Sequence, residues 1–433
     1  MKKLSYVLLL AVTVLASCRK NEDPGFPVFK QDSRMITDWI GLQLRLIRNT
    51  SGVTHIAFSR HFSYTGVALY ESLVKGAPFY RSVSDRLNGN PSFPVLSKKK
   101  EIYHPVSANV AMAEMMRYFY NSNPANLTLI DSLEDAWHSR FIAVAPAGIR
   151  FDASLDYGRD LASAVIEWSK QDGSVDANIP YSLLGEGFWE KTPVAFAAAN
   201  MPGWGNNRPM IPGSLNGTMP APPPAFSKEP GSAFYNSVKE VWEISKTLTG
   251  AQKEVALFWD DAPNGKYVSV FGHWFGILKQ VLEKEKTPLM EGALAYLRLG
   301  ISMNDATISC WKAKYLYNTL RPVSYIRNYL GDGEWNSLIG TPPHPEYSSA
   351  HSTISASGSY ALETVFGKKY SFTDHTYDVI GLNPRTFSGF DQAAKEAGDS
   401  RLYAGIHYRY SIAAGYEQGR KVAANVIHAL KIK

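Results

Sequence analysis

The stretch SRLYAGIHYRY, residues 400–410, places Arg401 six residues before His407 in a chain with only ten histidines. Upstream, KAKYLYNTLRPVSYIR carries Lys314 and Arg321 seven residues apart, with Pro322 following at once. Between these blocks lies PPHPEYSSAHSTIS, where His351 comes just after Ser349 and Ala350. Two arginines, a lysine, a serine hydroxyl and two histidines are the inventory for gripping a tetrahedral oxyanion. Arginine forks match paired oxygens, and lysine adds a point charge. One histidine would attack the central atom and the other would pass a proton to a departing oxygen. Singly, each residue has an ordinary structural use, such as a lysine on a solvated helix face or a hydrogen-bonded core histidine. Their joint order and spacing favour chemistry.

These residues need rigid elements to bring them together. A spacing of seven is close to two helical turns, so Lys314 and Arg321 are expected on one face of a helix that Pro322 ends or kinks. His351 falls at the start of another predicted helix, whose first turn offers free backbone N–H groups and a positive dipole end. Helical periodicity recurs along the chain, from TDWIGLQLRLIRNT near the start to SIAAGYEQGRKVAANVIHALK at the end, and strand-type alternation is scarce. The expected fold is mainly α, a packed multi-helix bundle. Residues 201–231 hold too many prolines and glycines for regular structure and read as a long loop crossing a single domain, residues 34–433. The chemical blocks occupy residues 305–410 of it.

Composition sets the outer limits. The chain has 433 residues, 45% hydrophobic and 19% charged, the balance of a globular protein. The formal charge of +6 is spread without a long basic run, which gives nucleic-acid binding little support but helps an anionic substrate approach. The opening MKKLSYVLLLAVTVLASC has two lysines, an apolar run and small residues before Cys18. It reads as a lipoprotein signal, residues 1–18, with Cys18 lipidated. Residues 19–33 read as a flexible tether. The expected location is the bacterial cell envelope, with the membrane reached through the lipid anchor only. Cys310 is the other cysteine and reads as a small core residue. The remaining histidines, His273 among them, show no metal spacing and read as structural.

The three blocks together resemble the superfamily of vanadium-dependent haloperoxidases and type 2 phosphatidic acid phosphatases. Its signature is K-x6-RP, then P-S-G-H, then S-R-x5-H. Lys314, Arg321 and Pro322 match the first block; Ser400, Arg401 and His407 match the third. The middle block departs, with SSAH for PSGH, so that Ser348 replaces proline and Ala350 replaces glycine. FWDDAPNG and GHW, at residues 258–265 and 272–274, resemble the haloperoxidase branch. The resemblance implies that Lys314, Arg321 and Arg401 hold the non-bridging oxygens of vanadate or phosphate, aided by Ser349 and the Ala350 N–H. It makes His407 the axial ligand of vanadium, or the nucleophile of a phosphatase, and His351 the general acid/base. Asp260 or Asp261 would orient Arg401 from behind. Trp311 and His344 would shape the pocket, with His344 either coupling to His351 or capping a carbonyl.

The leading expectation is therefore a haloperoxidase that uses vanadate as cofactor and oxidises halide with hydrogen peroxide. The alternatives are an acid phosphatase hydrolysing a phosphomonoester through a phosphohistidine, needing no cofactor, and a non-catalytic envelope lipoprotein with a decayed site.

Overall fold

The computed structural model describes residues 27–96, 102–145, 147–262 and 264–432. In chain order these form α1 (Pro27–Lys30), α2 (Arg34–Asn49), α3 (Phe58–Val74), α4 (His104–Tyr120), α5 (Pro124–Val144), α6 (Phe151–Ser169), α7 (Ala233–Thr247) and α8 (Gly250–Phe258). There follow α9 (Ser269–Glu285), α10 (Leu289–Tyr317), α11 (Pro322–Tyr329), α12 (Ala350–Phe366), α13 (Phe390–Tyr403) and α14 (Arg409–Leu430). The described strands are β1 (Phe372–Asp374) and β2 (Arg385–Phe387), paired antiparallel with Phe372 opposite Phe387. The expected mainly α bundle is what the chain forms.

α10 is the pivot. It is apolar on nearly every side, the pattern of a helix surrounded by protein, and it packs against α3, α12 and α14. α12 is held in turn by α10, α13 and α14. Two glycines of α14 let it approach α12 closely. A Cβ at Gly415 would lie 2.6 Å from the Ser349 carbonyl oxygen, and one at Gly419 would overlap the Thr353 carbonyl oxygen. Any larger residue would push the two helices apart just where α12 begins.

The loop 201–231 is irregular, as its composition predicts, but anchored. Asp305 of α10 is fully buried and accepts hydrogen bonds from Met210 N (2.7 Å), Ile211 N (3.1 Å) and Ser214 Oγ (2.7 Å). Those bonds satisfy loop donors that would otherwise be orphaned under the bundle.

Two expectations are corrected. Residues 27–33 are not tether: Val28 is buried, Ser33 N donates to Thr287 O (2.8 Å) and Leu289 N donates to Gln31 O (2.8 Å). Apolar Val28 finds a place in the core, and the backbone pairs with the turn before α10. Second, Lys314 and Arg321 do not share a helix. Asn318 takes a left-handed conformation (φ 49°) that ends α10 after Tyr317, and Arg321 is extended as the residue before α11. Pro322 starts a helix rather than ending one, because its missing N–H costs nothing in a first turn. Ser400 and Arg401 lie in the last turn of α13. The proposed signal, Cys18 and residues 19–26 lie outside the described residues.

Candidate anion site

Four elements converge on one cavity of about 520 Å³. α10 supplies Trp311, the start of α12 supplies Ala350 and His351, α13 supplies Arg401, and the turn before α14 supplies His407, while Lys314, Arg321 and Ser349 are not among the lining residues. Asp260, Asp261 and His344 also line it, and so do Val53, Phe271 and Ile354, which keep one side apolar.

His407 is buried and pinned from both ends. Its Nδ1 lies 2.6 Å from Glu346 Oε1, which also accepts the Tyr408 N–H at 3.1 Å. Nε2 faces the N–H of Arg321 Nη1 and so must accept, which assigns the ring proton to Nδ1, toward Glu346. Nε2 then carries a lone pair, facing Arg321 Nη1 at 3.3 Å. Burial, then Arg321 and Lys314, hold the His407 pKa well below the usual imidazole range, which keeps that lone pair available. Burial pushes the Glu346 carboxyl up to about 7, against the pull of Arg321 and Lys314.

The three cations are fully buried. Arg321 donates to the carbonyls of His344 (3.0 Å) and Ile406 (2.8 Å), and its Nη2 lies 3.0 Å from His344 Nδ1. Arg401 donates to Ser400 Oγ (2.9 Å) and to the Trp259 carbonyl oxygen. Lys314 donates to the carbonyls of Pro345 (3.0 Å), Glu346 (2.9 Å) and Ser348 (2.6 Å). Desolvation pushes Lys314 down to about 8 and both arginines down to about 10. A buried cation without a matched carboxylate is costly, and none of these three has a carboxylate on its hydrogen bonds. A bound anion would offset that cost.

Ser349 is the residue before α12, and its buried Oγ has no hydrogen-bond partner. The first-turn N–H groups of Ala350 and His351 have no partner within the helix. These donors, with the cations and the Nε2 lone pair of His407, which here accepts from Arg321 Nη1, fit a tetrahedral oxyanion bonded to one nitrogen. The residues present therefore suit vanadate or phosphate. Lys314 has all three N–H groups on carbonyls, so in this structure it fixes the 345–348 segment and offers the cavity its charge.

His351 is partly open to the cavity, with 19% of its side chain exposed, and its Nε2 lies 3.3 Å from Asp261 Oδ2. Burial and then Arg401 push His351 down to about 4, so it is neutral at pH 7. Here the expected role of the aspartates is corrected. Arg401 is hydrogen-bonded to Ser400 and Trp259; Asp261 instead engages His351, His273 and Tyr377. Asp260 and Asp261 act on Arg401 only through their charge. His344 does not couple to His351: its Nδ1 lies 3.0 Å from Arg321 Nη2 and 3.2 Å from the Pro345 carbonyl oxygen, the carbonyl contact that is the other expectation, and its ring centroid is 4.9 Å from that of Trp311.

Sequence reasoning missed Glu346, His273 and Asp374. Glu346 is the one acid in PPHPEYSSAHSTIS, and an isolated acid between two histidines was its only signal. Asp374 had none.

The helical bundle and the anion cup define the class, and comparison with known proteins fixes the family. The family description "VCPO second helical-bundle domain" matches residues 295–432. The chain is similar to a bacterial vanadium-dependent iodoperoxidase of known crystal structure, at 33% identity and a TM-score of 0.85, over 93% of this chain and 97% of that one. The fold is also that of a bacterial vanadium-dependent chloroperoxidase: the holo-type structure gives 14% identity and a TM-score of 0.65, over 88% and 93% of the two chains. The apo-type structure gives 13% and 0.64. No protein of curated function matches. The chain belongs to the vanadium-dependent haloperoxidase family.

Proposed function

We propose that this enzyme holds vanadate at His407 Nε2 and uses hydrogen peroxide to oxidise halide, with iodide the first to test. The observation that carries this is the His407 lone pair, fixed by Glu346 and set among three buried cations without carboxylate partners. The likeness to an iodoperoxidase at 33% identity supports the choice of halide.

Arg321 and Arg401 would hold the non-bridging oxygens, with the Ser349 hydroxyl and the Ala350 N–H adding donors. Lys314 would add its charge while keeping the 345–348 segment in place. Bound vanadate supplies a Lewis acid that activates peroxide without changing its own oxidation state. His351, neutral and backed by Asp261, would take a proton from incoming peroxide and return it to the departing oxygen. Trp311 and His344 would narrow the halide approach. The methyl of Ala350, at the cavity wall, reduces the space beside the anion.

The assay is iodide and bromide oxidation by peroxide, with and without added orthovanadate. Activity that appears only with vanadate supports this reading. A phosphohistidine phosphatase is the alternative that the same carboxylate–histidine pair would serve, since Glu346 would activate His407 as a nucleophile. In that case phosphomonoester hydrolysis appears and vanadate inhibits it. Export and lipidation at Cys18, and so attachment at the cell envelope, are also proposed, on the N-terminal pattern alone; mass spectrometry of the mature N-terminus tests them.

A further inference from the structure

Behind His351 lies a second, wholly buried histidine. His273 Nδ1 is 2.8 Å from Asp261 Oδ1, and its Nε2 is 2.8 Å from Asp374 Oδ2. All three side chains are sealed from solvent. Asp261 Oδ1 also accepts the Tyr377 hydroxyl at 2.5 Å. Its Oδ2 and His351 Nε2 have no hydrogen-bond partner of their own and face each other at 3.3 Å. The four groups form one line, Asp374–His273–Asp261–His351, running from the β1 strand to the cavity.

We propose that His273 is a positioning residue whose imidazolium charge keeps Asp261 ionised, so that Asp261 holds His351 with its proton on Nε2 and its Nδ1 lone pair free as the base. An imidazole whose two nitrogens both face ionised carboxylates must donate from both, and only the cation can. The alternative would set an acceptor against an acceptor in a dry site. Burial alone would lower the His273 pKa, but Asp261 and then Asp374 outweigh it and raise it to about 10. Asp261 is correspondingly held far below the usual carboxylate range: burial opposes ionisation, and His273 and then His351 overcome it.

The other groups facing this line do not displace His273 from that role. Arg401 hydrogen-bonds to Ser400 and Trp259. Asp260 adds a like charge beside Asp261. Tyr377 donates a neutral hydrogen bond, and Thr376 N and Gln280 Nε2 satisfy the far oxygen of Asp374 at 2.9 and 3.4 Å. The His273 ring is clamped flat on Trp259, centroids 4.2 Å apart, and the carbonyl of that same tryptophan takes the Arg401 guanidinium. One imidazolium thus touches the supports of two groups at the cavity.

This inference rests on His351 as the acid/base, but its test needs neither vanadate nor turnover. Nitrogen NMR of histidine-labelled full-length protein reads ring protonation and tautomer; carbon NMR of aspartate-labelled protein reads carboxyl titration. In the wild type, His273 is expected doubly protonated at pH 7, His351 neutral with its proton on Nε2, and Asp261 ionised to well below the usual carboxylate range. In His273→Gln, Asp261 is expected to take up a proton above about pH 4, and His351 to lose its single tautomer as it does so. The pH profile of turnover should gain the same transition. A merely structural role would lower the melting temperature and leave Asp261 and His351 as they were, and that result overturns the proposal. If the variant does not fold, the wild-type ring decides: a singly protonated His273 at pH 7 overturns it equally.

Discussion

Glu346 Oε1 and His407 Nδ1 stand 2.6 Å apart in a dry site, and the same oxygen takes the Tyr408 N–H. One carboxylate therefore fixes both the tautomer of the histidine and the backbone that carries it. This is the outer support that a ligating histidine commonly needs. Replacing Glu346 by Gln keeps the shape and an acceptor but removes the charge. It is expected to weaken vanadate binding or turnover by about 10–100-fold, read by calorimetric titration with orthovanadate and by the halide assay.

The two histidines at the cavity should separate under mutation. His407→Ala removes the only nitrogen proposed to bond the anion's central atom, so vanadate binding and turnover should both vanish. His351→Ala leaves Arg321, Arg401 and Ser349 untouched, so binding should persist while turnover falls by about 10²–10⁴-fold. Normal turnover in the His407 variant would end the assigned role.

Much of this pairing was legible in the sequence and part of it was not. Lys314, Arg321, His351, Arg401 and His407 could be read because their spacings survive in one dimension, and the helical patterns TDWIGLQLRLIRNT and SIAAGYEQGRKVAANVIHALK became α2 and α14. Glu346 could not, since its partner lies 61 residues away and only the turn into α14 brings them together. α13 was missed because FDQAAKEAGDSRLY is too polar to show an apolar stripe, although it buries Phe390, Ala394, Ala397 and Leu402. The break after Tyr317 escaped because left-handed Asn318 is one residue's choice of angle, invisible to a periodicity that runs on through Leu320.

The pH dependence of stability carries a sign. His273 is raised from its ordinary 6.5 to about 10, so the folded protein binds a proton that the unfolded chain has lost between those values. That stabilisation is complete below about pH 6.5 and is lost as pH rises through about 10. Urea unfolding across this window should show wild-type stability falling with pH relative to His273→Gln. Parallel curves for the two proteins would contradict the raised pKa.

Helix approach supplies a stability test remote from any charge. Gly419→Ala places a methyl against the Thr353 carbonyl oxygen. It should cost about 1–3 kcal/mol by overpacking, and by shifting α14 from α12 it should also weaken anion binding at Ser349. Thermal unfolding and a vanadate titration on the same sample check both effects. An unchanged melting temperature would show that the interface has room the geometry denies.

The central claim is that a four-oxygen anion sits on His407 Nε2, within reach of Arg321, Arg401 and the Ser349 hydroxyl. A crystal structure of the protein soaked with orthovanadate tests it most directly. Vanadium is expected bonded to His407 Nε2 with its oxygens on those three donors. Vanadate bound elsewhere, or a cavity that stays free of it at saturating concentration, would contradict it.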